Sequence, residues 1–203
     1  MENEILKIAK RIQAIAQAGI HFSQNPFDQE RYGELRELSV KLVEQVTDAP
    51  IDKIRDIFTF ERGFQTPKVD IRAVVLKDNQ LLFARELADN RWSLPGGFAD
   101  INYSPKEVAV KEVMEETGLI VKAQRVLAII DCNKHHFPPM EFHYYKIIIL
   151  CEFISGELHG SIETSEANFF PWDQLPELSI NRNTPELIDI IKDCLNSSEV
   201  SCD

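Results

Sequence analysis

Read from its N-terminus, the chain first repeats apolar residues at the three- and four-residue spacing of an amphipathic helix. From Asn3 to Ala18 these are Ile5, Ile8, Ala9, Ile12, Ile15 and Ala16, with charges between them. Asn25-Pro26 interrupts the pattern, and Asp28 is placed to cap a second helix through Tyr32, Leu35, Leu38, Leu42 and Val43 to about Val46. Ala49-Pro50 ends that run, and a third helix is expected from Asp52, carrying Ile54, Ile57 and Phe58. A linker from Glu61 to Thr66 contains Gly63, and Pro67 follows it. Past it the period changes to that of strands. Val69 to Leu76 reads as a strand, Asp78-Asn79 as a turn and Gln80 to Ala84 as the return strand. Val121 to Asp131 and Phe142 to Phe153 read as longer strands and Asn168 to Trp172 as a shorter one; Thr184 to Leu195 is a closing helix with Pro185 in its first turn. The pattern divides the chain into a helical segment, 1–64, and an α/β segment, 65–203, in which a mixed sheet lies between helical layers. Roughly 60 residues of helix make a marginal core, so the first segment is expected to dock on the second or on another copy of itself.

The densest chemistry lies between Gly96 and Leu119. Ser104 can cap a helix, Pro105 suits its first position, and Glu107 stands at capping-box spacing from Ser104. Gly118 is placed to end that helix in the left-handed conformation. Between them Glu112, Glu115 and Glu116 share one helical face. Like charges at this spacing destabilise an isolated helix by a few tenths of a kcal/mol each. A solvated acidic face is one explanation. A hard cation is the other: Mg²⁺ takes carboxylate and carbonyl oxygens and completes its shell with water and substrate phosphates. The side-chain-poor turn Leu94-Pro95-Gly96-Gly97, which lets a ligand approach backbone, favours the cation.

This segment resembles the Nudix box, G-x5-E-x7-R-E-U-x-E-E-x-G-U with U apolar. Gly97, Glu112, Val113, Glu115, Glu116, Gly118 and Leu119 fall on it, whereas Tyr103 stands at the first Glu position and Lys111 at the Arg position. In the family that Glu and Arg are thought to brace loop and helix, so the substitutions put the bracing in question rather than the metal site. The runs WSLPGGFAD, SPKEVAVKEVMEETG, DCNKHHFPPMEFHYYK and SIETSEANFF resemble, more narrowly, the Nudix subfamily with a helical N-terminal domain. That resemblance implies an α/β/α sandwich preceded by a helical domain associated with dimerisation, hence a homodimer. It implies metal-dependent (Mg²⁺ or Mn²⁺) hydrolysis of a nucleoside diphosphate linked to X, with CDP-choline and ADP-ribose leading, to a nucleoside monophosphate and phosphorylated X.

Such a hydrolysis needs charge neutralisation and a positioned water, which divalent ions on an acidic helix can supply. Glu112 and Glu116 are the expected main ligands, with Glu115 a third and, by the resemblance, a backbone carbonyl of Gly96 or Gly97. The family also draws on a Glu beyond the box, as ligand or general base; Glu163 and Glu166 in SIETSE are both candidates. Lys111 could pair with Glu107 or Glu115, each four residues away. Two prolines and adjacent histidines make Asp131 to Pro139 a rigid polar loop of the kind that carries specificity, so Lys134 and His135 are candidate phosphate or X contacts. His143 is a candidate pocket residue, or with the other histidines a transition-metal ligand. Trp92 and Phe98 flank the Gly-Gly turn and could stack on a base or simply fill core, and Arg85 could meet phosphate, ribose or solvent.

Composition narrows the partners. With 44% hydrophobic and 27% charged residues the chain reads as an ordinary globular protein. Its net charge of −11 argues against nucleic-acid binding. The basic residues of the first helices (Lys7, Lys10, Arg11, Arg31, Arg36, Lys41) are interleaved with acids, which weakens a nucleic-acid-reading bundle. Cys132, Cys151, Cys194 and Cys202 show neither zinc-type spacing nor a disulfide framework. No leader or membrane-length apolar run stands out, so a cytoplasmic protein is expected. Two alternatives to the linked-diphosphate hydrolase remain: a nucleoside triphosphate pyrophosphohydrolase, and a non-catalytic Nudix ligand sensor.

Overall fold

Alternation along the chain sets two compact units, Met1–Pro67 with Pro138–His143, and Lys68–Phe137 with Tyr144–Asp203. The structure, a computed structural model, describes residues 4–46, 54, 63–140 and 142–203.

In the helical unit, α1 (Glu4–Phe22) and α2 (Pro26–Glu44) form a hairpin. Asn25 caps α2: its side chain accepts the Phe27 N–H at 2.9 Å, and Pro26 occupies the first helical turn. The helix thus starts at the dipeptide that breaks the pattern of α1, and Asp28, expected as the cap, instead pairs with Arg31 at 2.9 Å. The unit's core is Leu6, Ala9, Val40, Val43 and Ile54. Only part of the expected apolar stripe is inward; Ile5, Ile8, Ile15, Leu35 and Leu38 are exposed. The third helix expected from Asp52 lies outside the described residues apart from Ile54.

The second unit carries a seven-stranded mixed sheet. Its strands are β1 (Lys68–Lys77), β2 (Gln80–Glu86), β3 (Trp92–Ser93), β4 (Leu119–Asp131), β5 (Tyr144–Gly156), β6 (Thr164–Pro171) and β7 (Ser201–Cys202). The order is β3-β2-β1-β5-β4-β7, with β6 paired to β2. β1 and β5 run parallel from Lys68↔Tyr144 to Leu76↔Glu152, while β4 and β5 are antiparallel. Helix α3 (Pro105–Thr117) packs on β1, β4 and β5, and helix α4 (Pro185–Leu195) packs on β4. This is the expected α/β/α sandwich. Period-2 alternation sends Ile71, Ala73 and Val75 of β1 into one core with Val108, Ala109 and Val113 of α3.

The ends of α3 follow their sequence signals. Ser104 accepts the Glu107 N–H while Glu107 reaches back to the Ser104 N–H at 2.8 Å. Gly118 closes the helix at φ 75°, in the left-handed region that favours glycine. Two elements differ from the sequence reading. β6 begins at Thr164 rather than near Asn168, because its register with β2 pairs Glu86 with Thr164 and Arg85 with Glu166. β7 is a two-residue parallel addition to β4 with no hydrophobic signature of its own.

Since the Ser104 hydroxyl serves one orphan amide of α3 and Glu107 the reverse bond, Ser104→Ala should lower unfolding free energy by about 1 kcal/mol in urea denaturation.

Candidate active site

The turn at 94–97 is laid along β1 as a short extra strand. Ala73 N–H donates to the Pro95 carbonyl (2.8 Å), Ile71 N–H to the Gly97 carbonyl (2.8 Å) and Ala99 N–H to the Val69 carbonyl (2.9 Å). The contact leaves no room for side chains. A Cβ on Gly96, at φ +146°, would lie 2.0 Å from the Ile71 carbonyl oxygen, and one on Gly97 would come 3.3 Å from the Glu112 carboxylate. Glycine is needed at Gly96 for both reasons.

Helix α3 delivers its acids to this turn. Glu116, 5% exposed, accepts the Gly96 N–H at 3.0 Å. The Glu112 side chain, 13% exposed, approaches Gly97, and that of Glu115, 58% exposed, lies farther out. Burial pushes the Glu116 carboxyl up to about 8; the Arg72 guanidinium and the Gly96 N–H oppose that rise, and Glu86 and Glu112 add to it. Burial likewise raises Glu112. Two acids held this close in a low-dielectric pocket lack positive charge. A hard divalent cation would supply it, so the donor set fits Mg²⁺ or Mn²⁺. Among the described residues no three His, Cys, Asp or Glu side chains already converge on one point. Glu112 and Glu116 would therefore supply the protein carboxylates, with carbonyl, water and substrate phosphate completing the shell, the usual manner for Mg²⁺.

The two motif substitutions are compensated locally. Lys111 Nζ lies 3.1 Å from Asp100, 3.3 Å from Glu112 and 3.3 Å from Glu115. The hydrogen bond that Lys111 donates to Asp100 is the largest influence holding its ammonium protonated well above its ordinary range. Lys111 thus ties the helix to the loop through Asp100, three positions before Tyr103. Of the two partners expected for it, Glu115 is engaged and Glu107 is committed to the cap. Tyr103 is half exposed and contributes no charge.

The other candidates separate. Thr164 Oγ1 donates to the Glu116 carbonyl at 2.8 Å, which fixes the start of β6 beside the acidic helix. Glu163 immediately precedes it, exposed. Glu166 lies on β6 and pairs with Arg85 at 2.8 Å, so each of those two side chains already has an ionic partner. Trp92 packs edge-on against Phe170 at 4.7 Å, a structural contact. Phe98 is 60% exposed and stacks on Tyr144 at 5.8 Å, next to Gly97. Lys134 is exposed on a single 3₁₀ turn, Cys132–Lys134. His135 is wedged between carboxylates, Nδ1 to Glu186 at 3.2 Å and Nε2 to Asp203 at 2.9 Å, and His136 Nδ1 meets Glu186 at 2.7 Å. With an acceptor at each ring nitrogen, His135 is set up as an imidazolium that holds the C-terminal strand. His143 belongs to the 138–143 segment that groups with the helical unit.

Several residues of the site escaped the sequence reading. Asp70, Arg72 and Lys146 form a buried charge cluster beneath the turn, and Glu86, Ser93 and Arg182 form a second at the end of β2. Charges at alternate positions within the apolar run Val69 to Leu76 were the available signal for the first. Nothing local marks the second, whose members are distant in sequence.

Residues 3–58 match a family model described as a UDP-X-like, N-terminal oligomerisation domain, and residues 66–193 match the NUDIX domain. A Bacillus subtilis (strain 168) protein named "Putative ADP-ribose pyrophosphatase YjhB" is 45% identical over 195 residues, spanning 96% of this chain and 94% of that protein. The crystal structure of a UDP-X diphosphatase superposes with a TM-score of 0.65 at 32% identity, covering 98% of each chain. An ADP-ribose pyrophosphatase from Streptococcus suis superposes at 0.59 with 36% identity, covering 68% of this chain and all of that one.

The carboxylates around His135 generate a pH prediction. Burial disfavours its charge, but Asp203 and Glu186 outweigh burial and raise its pKa above 6.5. The His135 contribution to stability is therefore full below about 6.5 and fades as pH rises through the higher folded value. His135→Asn should lower the melting temperature more at pH 6 than at pH 9, measured by thermal unfolding of both proteins at both values.

Proposed function

The chain belongs to the Nudix family and is a Nudix pyrophosphatase, and we propose that it uses Mg²⁺ or Mn²⁺ to hydrolyse the pyrophosphate bridge of a nucleoside diphosphate linked to a sugar or similar group, ADP-ribose first. The observation that carries this reading is the approach of Glu112 and Glu116 to a side-chain-poor turn whose Gly96 N–H already orients one of them. The names borne by the similar proteins favour ADP-ribose and UDP-linked substrates; CDP-choline remains a member of the same chemical class.

Glu112 and Glu116 hold the ion, and the Gly96 carbonyl is the preferred backbone ligand because that of Gly97 already accepts the Ile71 N–H. A divalent ion there supplies neutralisation of the diphosphate and acidification of the attacking water. Glu115 and Lys111 flank the ligands, Lys111 holding the helix to Asp100. Glu163 is the carboxylate that takes the proton of the attacking water. Its neighbour Thr164 is tied to the Glu116 carbonyl, and Glu166 is committed to Arg85. Phe98 offers an exposed aromatic face beside the turn for the base. The helical unit serves as a homodimer contact, a role supported by its exposed Ile5, Ile8, Ile15, Leu35 and Leu38 and by the oligomerisation model it matches. Among the described residues no helix is long and apolar enough to cross a membrane.

The test is product analysis with Mg²⁺ or Mn²⁺ on ADP-ribose, UDP-linked sugars, CDP-choline and nucleoside triphosphates. Release of a nucleoside monophosphate and phosphorylated X from one linked diphosphate is the expected outcome. Pyrophosphate released from a triphosphate would favour the triphosphate reading, and turnover of nothing would favour a ligand sensor. On the turned-over substrate, Glu163→Gln should lower kcat by about 10² or more, the scale of a lost general base, while Glu166→Gln should stay within about tenfold. The reverse ranking would exchange their roles.

A further inference from the structure

Strand β1 places Asp70 and Arg72 on the face opposite Ile71 and Ala73, and both are buried. Lys146 of β5 is the direct register partner of Asp70 and is buried too. The Asp70 carboxylate receives Arg72 Nε and Nη2, each at 2.9 Å, and Lys146 Nζ at 3.1 Å. That leaves Arg72 Nη1, which donates to the Leu94 carbonyl at 3.0 Å, at the entrance of the 94–97 turn. Burying three ions costs several kcal/mol apiece before pairing, and apolar residues of similar volume would fill a strand face at least as stably. Stability alone therefore gives no reason for the cluster. Its charges do not cancel internally either: two cations meet one anion. After Asp70, the acidic side chain that bears most on Arg72 is Glu116.

We propose that Arg72 is a positioning residue of the metal site: oriented by Asp70, it pins the Leu94 carbonyl and so sets the Gly96 peptide against Glu116. The chain of contacts is short and continuous. Arg72 holds Leu94, Leu94 leads through Pro95 to Gly96, and the Gly96 N–H donates to Glu116. A guanidinium suits the task because its planar fork makes the two bonds to Asp70 and aims the third N–H at a fixed angle. An ammonium cannot do both. This inference rests on the reading of the acidic helix as a divalent-metal site.

The test is Mn²⁺ binding to the full chain without substrate, followed by the electron paramagnetic resonance of free Mn²⁺, alongside circular dichroism. Arg72→Lys keeps the charge and loses the fork. It should weaken Mn²⁺ binding by about tenfold or more, the usual effect of removing a group that orients a metal ligand. Lys146→Met removes the other cation without touching the turn. It should leave Mn²⁺ affinity close to wild type. Equal affinity in Arg72→Lys and wild type, or equal loss in both variants, would overturn the proposal while the metal-site reading stands. Failure of the wild type to bind Mn²⁺ would overturn both. Should Arg72→Lys not fold, the wild type answers through nuclear magnetic resonance. The Arg72 Nε–H and Gly96 amide signals should shift along one Mg²⁺ titration curve, and an Arg72 signal that stays still while Gly96 moves would refute the role.

Discussion

The close approach of the Gly96 peptide to β1 is the constraint on which the site depends. With the Ile71 carbonyl 2.0 Å from where its Cβ would stand, residue 96 fits only as glycine. The fit of the turn is fixed by three backbone bonds to β1 and by Arg72 from below. Because β1 also lies beneath α3 in the main core, the turn and the acidic helix are referenced to the same strand. The Gly96 N–H to Glu116 bond is the point where the two meet. A rigid strand thus fixes the relative position of a loop carbonyl and two helical carboxylates, the donor types that Mg²⁺ takes.

Charge is arranged around that meeting point in layers. Burial raises the Glu112 and Glu116 carboxyls by taking them out of water, and a nearby cation would offset that rise. Beneath them Arg72 and Lys146 exceed Asp70 by one charge. Above them Lys111 connects Asp100, Glu112 and Glu115 at the exposed rim. Each such rim pair is worth little in stability on its own, but together they restrict the helix's rotation against the loop.

The acidic helix was legible from sequence because its signals are local. Cap, capping box, glycine terminator and the three-and-four spacing of the glutamates all lie within one segment. The strands flanking it were legible for the same reason. What escaped was non-local. Asp100 replaces the acid expected at Tyr103 by a shift along a loop, which a fixed-spacing motif does not register. Arg85 and Glu166 are far apart in sequence and meet through the register of β2 with β6. His135 reads as a candidate contact from its place in a rigid polar loop; its carboxylate partners, on α4 and past β7, a strand with almost no hydrophobic content, are not visible from that loop. Asp70 and Arg72 stood within a recognised strand, but only the parallel pairing with β5 shows that Lys146 joins them.

The most direct test of the account is the position of the ion itself. Anomalous scattering from a crystal of the protein soaked in Mn²⁺ should place a peak between the Glu112 and Glu116 carboxylates, within coordination distance of the Gly96 carbonyl. A peak coordinated elsewhere, with these two carboxylates unliganded, would contradict the claim that the turn and the helix together form the metal site.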